Sequence, residues 1–81
     1  MEYKGVIIGI FFPNEYKDGV LVDPIYNSTI GFKILLNGGK IIKITTNIDS
    51  DNKTLYKDDK VIVKEEEIDS VTNYYVRKDK A

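Results

Sequence analysis

The sequence reads IGFKILLNGGKIIKI from Ile30 to Ile44, two apolar runs on either side of Asn37-Gly38-Gly39. Runs of this kind, separated by a short glycine-rich turn, predict a β-hairpin. A two-residue Asn-Gly turn would mix apolar and charged side chains on each face, whereas a three-residue loop keeps one face apolar. We therefore predict a three-residue loop over residues 37 to 39, with a glycine in the left-handed conformation.

This register predicts which side chains share each face of the hairpin. The buried face would carry Phe32, Ile34, Ile42 and Ile44. On the outer face Lys33 and Lys43 would be direct neighbours, and like charges in that position are mildly destabilising. Screening of flexible, exposed lysines accounts for the pair most simply. A nearby acidic strand carrying Glu65 or Glu67, or an anionic partner, would also relieve the repulsion.

Turn signals divide the rest of the chain into short runs that are typical of β-strands. These runs cover residues 3 to 12, 20 to 22, 60 to 66 and 72 to 78. The second run could continue past Pro24 to Tyr26 as an edge strand or a bulged one. Good helix formers do not accumulate over any long window, so at most one short helical turn is expected, near residues 52 to 56.

The first run is apolar on both alternating faces, as a central strand is. Strict alternation places Tyr3, Ile7 and Phe11 together on one face. Gly5 and Gly9 lie within the run, where they permit a bulge or the sharp coiling that closes small barrels.

Together these patterns predict an all-β fold: a small five- to six-stranded antiparallel barrel over residues 1 to 78. Leu55 would plug one end of the barrel. The terminal segment, residues 79 to 81, is expected to fray.

The composition excludes most familiar catalytic chemistry. The 81 residues include no His, Cys or Trp, and twelve Lys and Arg against thirteen Asp and Glu leave a net charge of -1. Without imidazole and thiol, the usual general base, proton shuttle and thiol nucleophile are missing. No disulfide or thiolate metal site is available either. We therefore predict no catalytic residues, no metal site and no cofactor.

The apolar runs are all shorter than the roughly 18 residues of a membrane helix, and the first residues lack a signal-peptide pattern. The sequence therefore favours a cytoplasmic protein without a membrane partner.

A calcium loop is the strongest metal motif to consider, because Asp49-Ser50-Asp51 opens like an EF-hand. The match fails at the sixth position, which is Thr54 rather than glycine, and at the twelfth, which is Lys60 rather than glutamate. An Asx turn between strands explains the same residues.

Two segments resemble parts of a known fold. The segment Tyr56-Lys57-Asp58-Asp59-Lys60-Val61-Ile62-Val63 resembles the Lys-Gly-Asp-x-Val-x-Val entry into a late strand of small bacterial OB-fold and SH3-like domains. The segment Gly39-Lys40-Ile41-Ile42-Lys43-Ile44 resembles the hairpin strand that precedes it. They cover under half of the chain, and Asp58 stands where the motif usually has glycine. The resemblance implies an OB-like or SH3-like barrel, and such barrels bind nucleic acids, proteins and carbohydrates alike.

The main functional hypothesis is a non-enzymatic binding module that acts through protein contacts. Tyr16 and Tyr26 lie in predicted loops, and Tyr74 and Tyr75 lie on the last strand. Tyrosine is enriched where interfaces concentrate their energy. The last strand, if it is a sheet edge, could recruit another strand or a second copy of the chain. Small phage, mobile-element and uncharacterised bacterial proteins fit this size and composition.

Two alternatives remain open at the level of sequence. A face bearing Lys33, Lys43 and nearby aromatic side chains could bind single-stranded nucleic acid by stacking and phosphate contacts. The net charge of -1 disfavours this, because phosphate neutralisation supplies much of such affinity. A small ligand in a barrel mouth is the second alternative, although no convergent set of polar residues is visible in the sequence.

Overall fold

The computed structural model describes residues 1 to 80 and is built from antiparallel β-strands. The strands are β1 (Glu2–Phe11), β2 (Tyr16–Lys17), β3 (Val20–Leu21), β4 (Thr29–Leu36), β5 (Ile41–Asn47), β6 (Lys60–Ile68) and β7 (Val71–Lys78). A 3-10 turn, η1, covers Pro24–Tyr26. The predicted all-β class and antiparallel pairing are confirmed.

Five of the strands form one sheet in the order β5-β4-β1-β6-β7, and β2 and β3 form a separate small hairpin. Within residues 1 to 80 no ladder joins β5 to β7, so a closed barrel is not found. The two edge strands nevertheless meet, because the Thr46 hydroxyl donates a hydrogen bond to the Tyr74 carbonyl at 2.5 Å. The predicted barrel is therefore corrected to an open sheet whose two edges touch.

The central hairpin has the predicted register and loop. The facing pairs of β4 and β5 are Phe32 and Ile44, Lys33 and Lys43, and Ile34 and Ile42. The Leu36 amide donates to the Lys40 carbonyl at 2.8 Å and closes the three-residue loop. Gly38 and Gly39 both have positive φ, 107° and 99°, which is the conformation that the loop requires of a glycine.

A bulge divides β1 into two parts. The pairing of β1 with β4 shifts register between Ile7 and Gly9. Ile7 is buried before the bulge and Ile10 packs against the core after it, which leaves Phe11 on the outer face. The prediction that Phe11 shares a face with Tyr3 and Ile7 is wrong, because one extra residue reverses the alternation beyond it.

The core lies on the inner face of the curled sheet. Its buried members are Ile7, Ile30, Phe32, Ile34, Ile44, Leu55, Val61, Val63 and Val76. Leu55 comes from the connection between β5 and β6, as predicted, and covers the core from that connection.

The connection around Leu55 is a series of turns rather than a helix. Asn52 is fully buried, and its side-chain amide donates to the Asn47 carbonyl at 2.8 Å and accepts from the Asp49 amide at 3.0 Å. These bonds satisfy the buried amide group locally. The predicted helical turn near residues 52 to 56 is therefore not found there.

Among the described residues the only helical segment is η1, where the sequence analysis left open that the second run continues as an extended strand. Asp23 caps this segment, because its carboxylate accepts from the Ile25 amide at 3.1 Å. Pro24 occupies the first position, where its fixed φ suits a helical turn and its missing N–H costs nothing.

The turn before β6 holds Asp58 in a conformation that is unusual for a residue other than glycine. Asp58 has φ of 76°, which is the left-handed conformation that glycine takes most easily. Its amide donates to the Ile7 carbonyl at 2.8 Å, and the Ile7 amide donates to the Asp59 carbonyl at 3.0 Å. The turn therefore extends the pairing of β1 with β6.

Beyond β7, the Asp79 amide donates to the Lys60 carbonyl at 2.8 Å. Ala81, the last residue of the segment that was predicted to fray, lies outside the described residues. In the described part of the chain, no helix is long and apolar enough to span a membrane.

Candidate binding surfaces

The segment between β1 and β4, residues 12 to 28, projects from the sheet, and we call it the excursion. It contains the β2–β3 hairpin and then η1. Asp18 and Gly19 form the hairpin turn, both with positive φ, as a two-residue type I′ turn requires. All four strand residues of the hairpin are exposed, so the hairpin adds no side chain to the core of the sheet.

The excursion concentrates exposed apolar side chains. Five large ones are more than half exposed: Tyr16 (66%), Val20 (68%), Leu21 (54%), Ile25 (78%) and Tyr26 (75%). Four of them, all except Ile25, line one open concavity of about 910 Å³. We call these five side chains the excursion surface. Clustered apolar groups of this kind mark interaction sites more often than scattered ones do.

Glu15 fastens the excursion to the start of β4. Its carboxylate accepts from both the amide and the hydroxyl of Ser28, at 2.9 to 3.2 Å, and from the amide and hydroxyl of Thr29, at 3.1 and 2.7 Å. Hydrogen bonds to the ionised form, from the Thr29 hydroxyl first and then the Ser28 amide, lower the pKa of Glu15 from 4.5 to about 2.

Two further bonds fix the path of the excursion. The Asn27 side-chain amide donates to the Pro13 carbonyl at 2.7 Å. The Val22 amide donates to the Glu15 carbonyl at 2.7 Å. The excursion surface is therefore presented by a segment that is tied down near both ends.

The outer face of β4 and β5 forms a second surface, which we call the lysine face. Lys33 and Lys43 are neighbours there, as predicted, and both are exposed. The Phe11 ring lies against Gly31, where a Cβ atom would come within 2.1 Å of it. The Lys43 ammonium stands 4.8 Å from the centre of the Phe11 ring.

This stack explains how the two lysines are accommodated. A cation above an aromatic face is attracted by the ring quadrupole. No ion pair within residues 1 to 80 includes Lys33 or Lys43, so Glu65 and Glu67 do not relieve the repulsion as one prediction suggested. Exposed Leu35 extends this face beyond the lysines.

The two tyrosines of β7 point in different directions. Tyr74 is half-buried and packs against the core beside the gap between β5 and β7. Tyr75 is 43% exposed and lies opposite Lys64. The six predicted site residues therefore do not form one site: Tyr16 and Tyr26 share the excursion, the two lysines share the lysine face, and the β7 tyrosines belong to neither.

Sequence reasoning missed Val20, Leu21 and Ile25 as surface residues, because it assigned apolar runs to strands that bury one face. A usable signal was present in Asp18-Gly19, a turn with too few strand residues on either side to reach a core. Phe11 was missed because the bulge that turns it outward is not visible in the apolar pattern.

Within residues 1 to 80, no group of three or more potential metal-ligating side chains is gathered in one place. Comparison with protein-family models, with curated proteins and with solved structures found no match.

Proposed function

We propose that this chain is a non-enzymatic binding module whose excursion surface docks against a partner protein. The observation that carries the proposal is the gathering of five exposed, large apolar side chains on one anchored segment. Tyrosine rings supply much of the energy at protein interfaces, and two of the five side chains are tyrosines.

The anchoring of the excursion supports this proposal. Binding costs free energy for every loop and side chain that must be ordered. Because Glu15 and Asn27 already hold the segment in place, docking requires less additional ordering and therefore a smaller loss of conformational entropy. The sheet serves as the scaffold that holds the surface in position.

We assign the scaffold to the OB-like rather than the SH3-like type. The two main strands that follow β1 lie on one side of it, and the last two lie on the other. This order, with edges that touch, is compatible with the partly open five-stranded barrel of OB-folds. In that type the loop after the first strand contributes to binding, and here this loop is the excursion.

Capture from cell extract by the immobilised chain tests the proposal. Three forms are compared: the wild-type chain, a Tyr16→Ser/Tyr26→Ser variant, and a Tyr56→Ser control. Tyr56 is as exposed as the excursion tyrosines, at 71%, but lies in the connection between β5 and β6. We expect a protein that the wild type and the control retain and the double variant loses, and purified samples of it should reproduce that pattern in direct binding.

Equal retention by all three forms, or no retention by a folded wild-type chain, would contradict the proposal. Circular dichroism of each form establishes that the variants are folded, so that a lost partner is not mistaken for a lost structure.

A second candidate function is single-stranded nucleic-acid binding by the lysine face. The observation that favours it is the Phe11–Lys43 stack beside Lys33, which puts a ring and two cations on one exposed surface. Base stacking on aromatic rings and phosphate contacts by lysines are how OB-type barrels hold single strands. Because the chain as a whole carries a net charge of -1, the attraction to phosphates would have to come from local groups such as these two lysines.

Fluorescence anisotropy with a short labelled oligonucleotide, at low and at moderate salt, tests this candidate. We expect salt-sensitive binding that a Lys33→Ala/Lys43→Ala variant loses and a Lys53→Ala/Lys57→Ala control keeps, since the control removes the same charge elsewhere. Binding that is insensitive to salt, or equal loss in both variants, would rule out the lysine face.

A further inference from the structure

The gap between β5 and β7 opens into a cavity on the inner face of the sheet. The cavity has a volume of about 430 Å³. One wall comes from β4, β5 and the loop between them (Leu36, Lys40, Ile42, Lys43 and Ile44), and the other comes from β1, β6 and β7 (Tyr3, Glu65 and Tyr74). Volumes of this order are typical of pockets for small molecules.

The middle of the cavity is apolar. Leu36, Ile42, Tyr3 and Tyr74 all pack against the buried core and are themselves only half-buried. In a closed barrel the two edge strands would pair and cover these side chains. Among the described residues, one hydrogen bond joins the edge strands β5 and β7, from the Thr46 hydroxyl to the Tyr74 carbonyl. Where the two strands diverge from this bond, apolar surface remains accessible.

A carboxylate stands at one wall. Glu65 faces the cavity from β6, and its carboxylate accepts a hydrogen bond from the Tyr3 hydroxyl at 3.1 Å. That hydrogen bond, with partial burial, raises the pKa of Tyr3, so the hydroxyl remains a neutral donor that orients the carboxylate. None of the ion pairs within residues 1 to 80 involves Glu65.

A lysine lies on the opposite wall. Two lysines line the cavity, but the Lys43 ammonium lies over the Phe11 ring on the outer face. This leaves Lys40, which directly precedes β5, as the cation available to the cavity. Lys40, like Glu65, takes part in none of the ion pairs found among residues 1 to 80.

We propose that this cavity binds a zwitterionic small molecule with an apolar body, of the free amino acid or dipeptide class. Its ammonium group would lie at Glu65, its carboxylate at Lys40, and its apolar part against Leu36 and Ile42. The site is separate from the excursion surface and shares only Lys43 with the lysine face. It does not depend on the function proposed for either surface.

The charge arrangement selects this class of ligand. An apolar molecule alone would give neither Glu65 nor Lys40 an oppositely charged partner, while a simple cation or anion would satisfy only one of them. Charge-assisted hydrogen bonds are the stronger ones, so a ligand that offers an oppositely charged partner to each group gains the most from this arrangement. A zwitterion pairs both groups at once.

Calorimetric titration with four forms of one dipeptide tests the proposal. The probes are leucyl-alanine, its N-acetyl form, its amide, and the form blocked at both ends. We expect leucyl-alanine to bind, and each single block to weaken binding by at least about tenfold. In NMR spectra, the largest shifts should fall on Ile42, Tyr74 and their neighbours.

Two variants assign the ends of the ligand. Glu65→Gln should lose the discrimination against the N-acetyl form, and Lys40→Met should lose the discrimination against the amide. The matched controls are Glu66→Gln and Lys57→Met, which remove the same charges elsewhere and should keep both discriminations. The readout is a ratio of affinities within each variant, so a modest change in its stability does not obscure it.

Several outcomes would overturn the proposal. Equal binding of all four forms would show that the charges do not recognise the ligand. Absence of binding by the folded wild type at millimolar probe would show that the cavity is not a site for this class. Shifts confined to the excursion would place the binding elsewhere.

Discussion

Glu15 shows how a single side chain can position a whole surface. Its carboxylate accepts hydrogen bonds from the amides and hydroxyls of Ser28 and Thr29, which lie 13 and 14 positions later in the chain. These contacts fix where the excursion rejoins the sheet. They also favour the ionised form of the carboxyl group, which is why its pKa falls to about 2.

This shift predicts a pH-dependent stability. Because the folded-state pKa of Glu15 lies below its ordinary 4.5, the stabilisation is fully present above that pH and is lost as the pH falls toward 2. Urea unfolding of the wild type and of Glu15→Gln, at about pH 6 and about pH 3, measures it. We expect the stability advantage of the wild type to shrink at the lower pH.

Glu67→Gln is the control for this prediction. Glu67 is exposed on β6, and this substitution removes the same charge as Glu15→Gln does. Its difference from the wild type should change less with pH than that of Glu15→Gln. An advantage of the wild type over Glu15→Gln that stays constant between the two pH values would contradict the assignment.

At the scale of the elements, the tight turn between β6 and β7 requires residues with positive φ. The β6–β7 turn uses Asp69 and Ser70, with φ of 50° and 65°. A two-residue type I′ turn requires positive φ at both positions, and glycine is preferred at the second. Ser70 therefore carries backbone strain that a glycine would not have.

We predict that Ser70→Gly stabilises the fold by about 0.5 to 1 kcal/mol, as relief of left-handed strain exceeds the added entropy of the unfolded chain. The control is Ser50→Gly, in a turn of the β5–β6 connection where φ is not positive, which should be neutral or destabilising. Thermal and urea unfolding compare the three chains. A loss of stability in Ser70→Gly equal to that of Ser50→Gly would show that the turn is not strained.

The whole molecule is defined by a sheet whose edges touch without pairing. β1 lies at the centre, with its first residues beside β6 and its later ones beside β4. Gly5 and Val6 pair with both neighbours, and the bulge that follows at Ile7 lets the sheet curl. The Thr46–Tyr74 bond then joins the edges, and the cavity opens beside it.

We predict that Thr46→Val, which removes this bond with little change of shape, destabilises the fold by about 1 kcal/mol. It should also increase hydrogen exchange in β5 and β7 more than in β1 and β4. Thr45→Val is the control, because Thr45 is exposed and its neighbour across the hairpin is Gly31. Equal effects of the two substitutions on stability and exchange would show that the edge contact does not hold the sheet together.

The local pattern of apolar residues was sufficient to predict the all-β class and the register and loop of the central hairpin. It also placed Leu55 in the core. These features depend on side chains close together in the chain, or on the requirement that one face be apolar, which the alternation of residues records directly. The preference of glycine for positive φ likewise marked the loop at Gly38 and Gly39.

Four features were visible only in the folded chain. They are the order of the strands, the open edge of the sheet, the outward orientation of Phe11, and the division of the predicted site residues among separate surfaces. Each depends on pairing between segments far apart in the sequence, or on a single extra residue in β1 that reverses every later side chain. The alternation of residues within one strand specifies its two faces. It does not specify which neighbour will cover them, because that is decided by the packing of all the strands together.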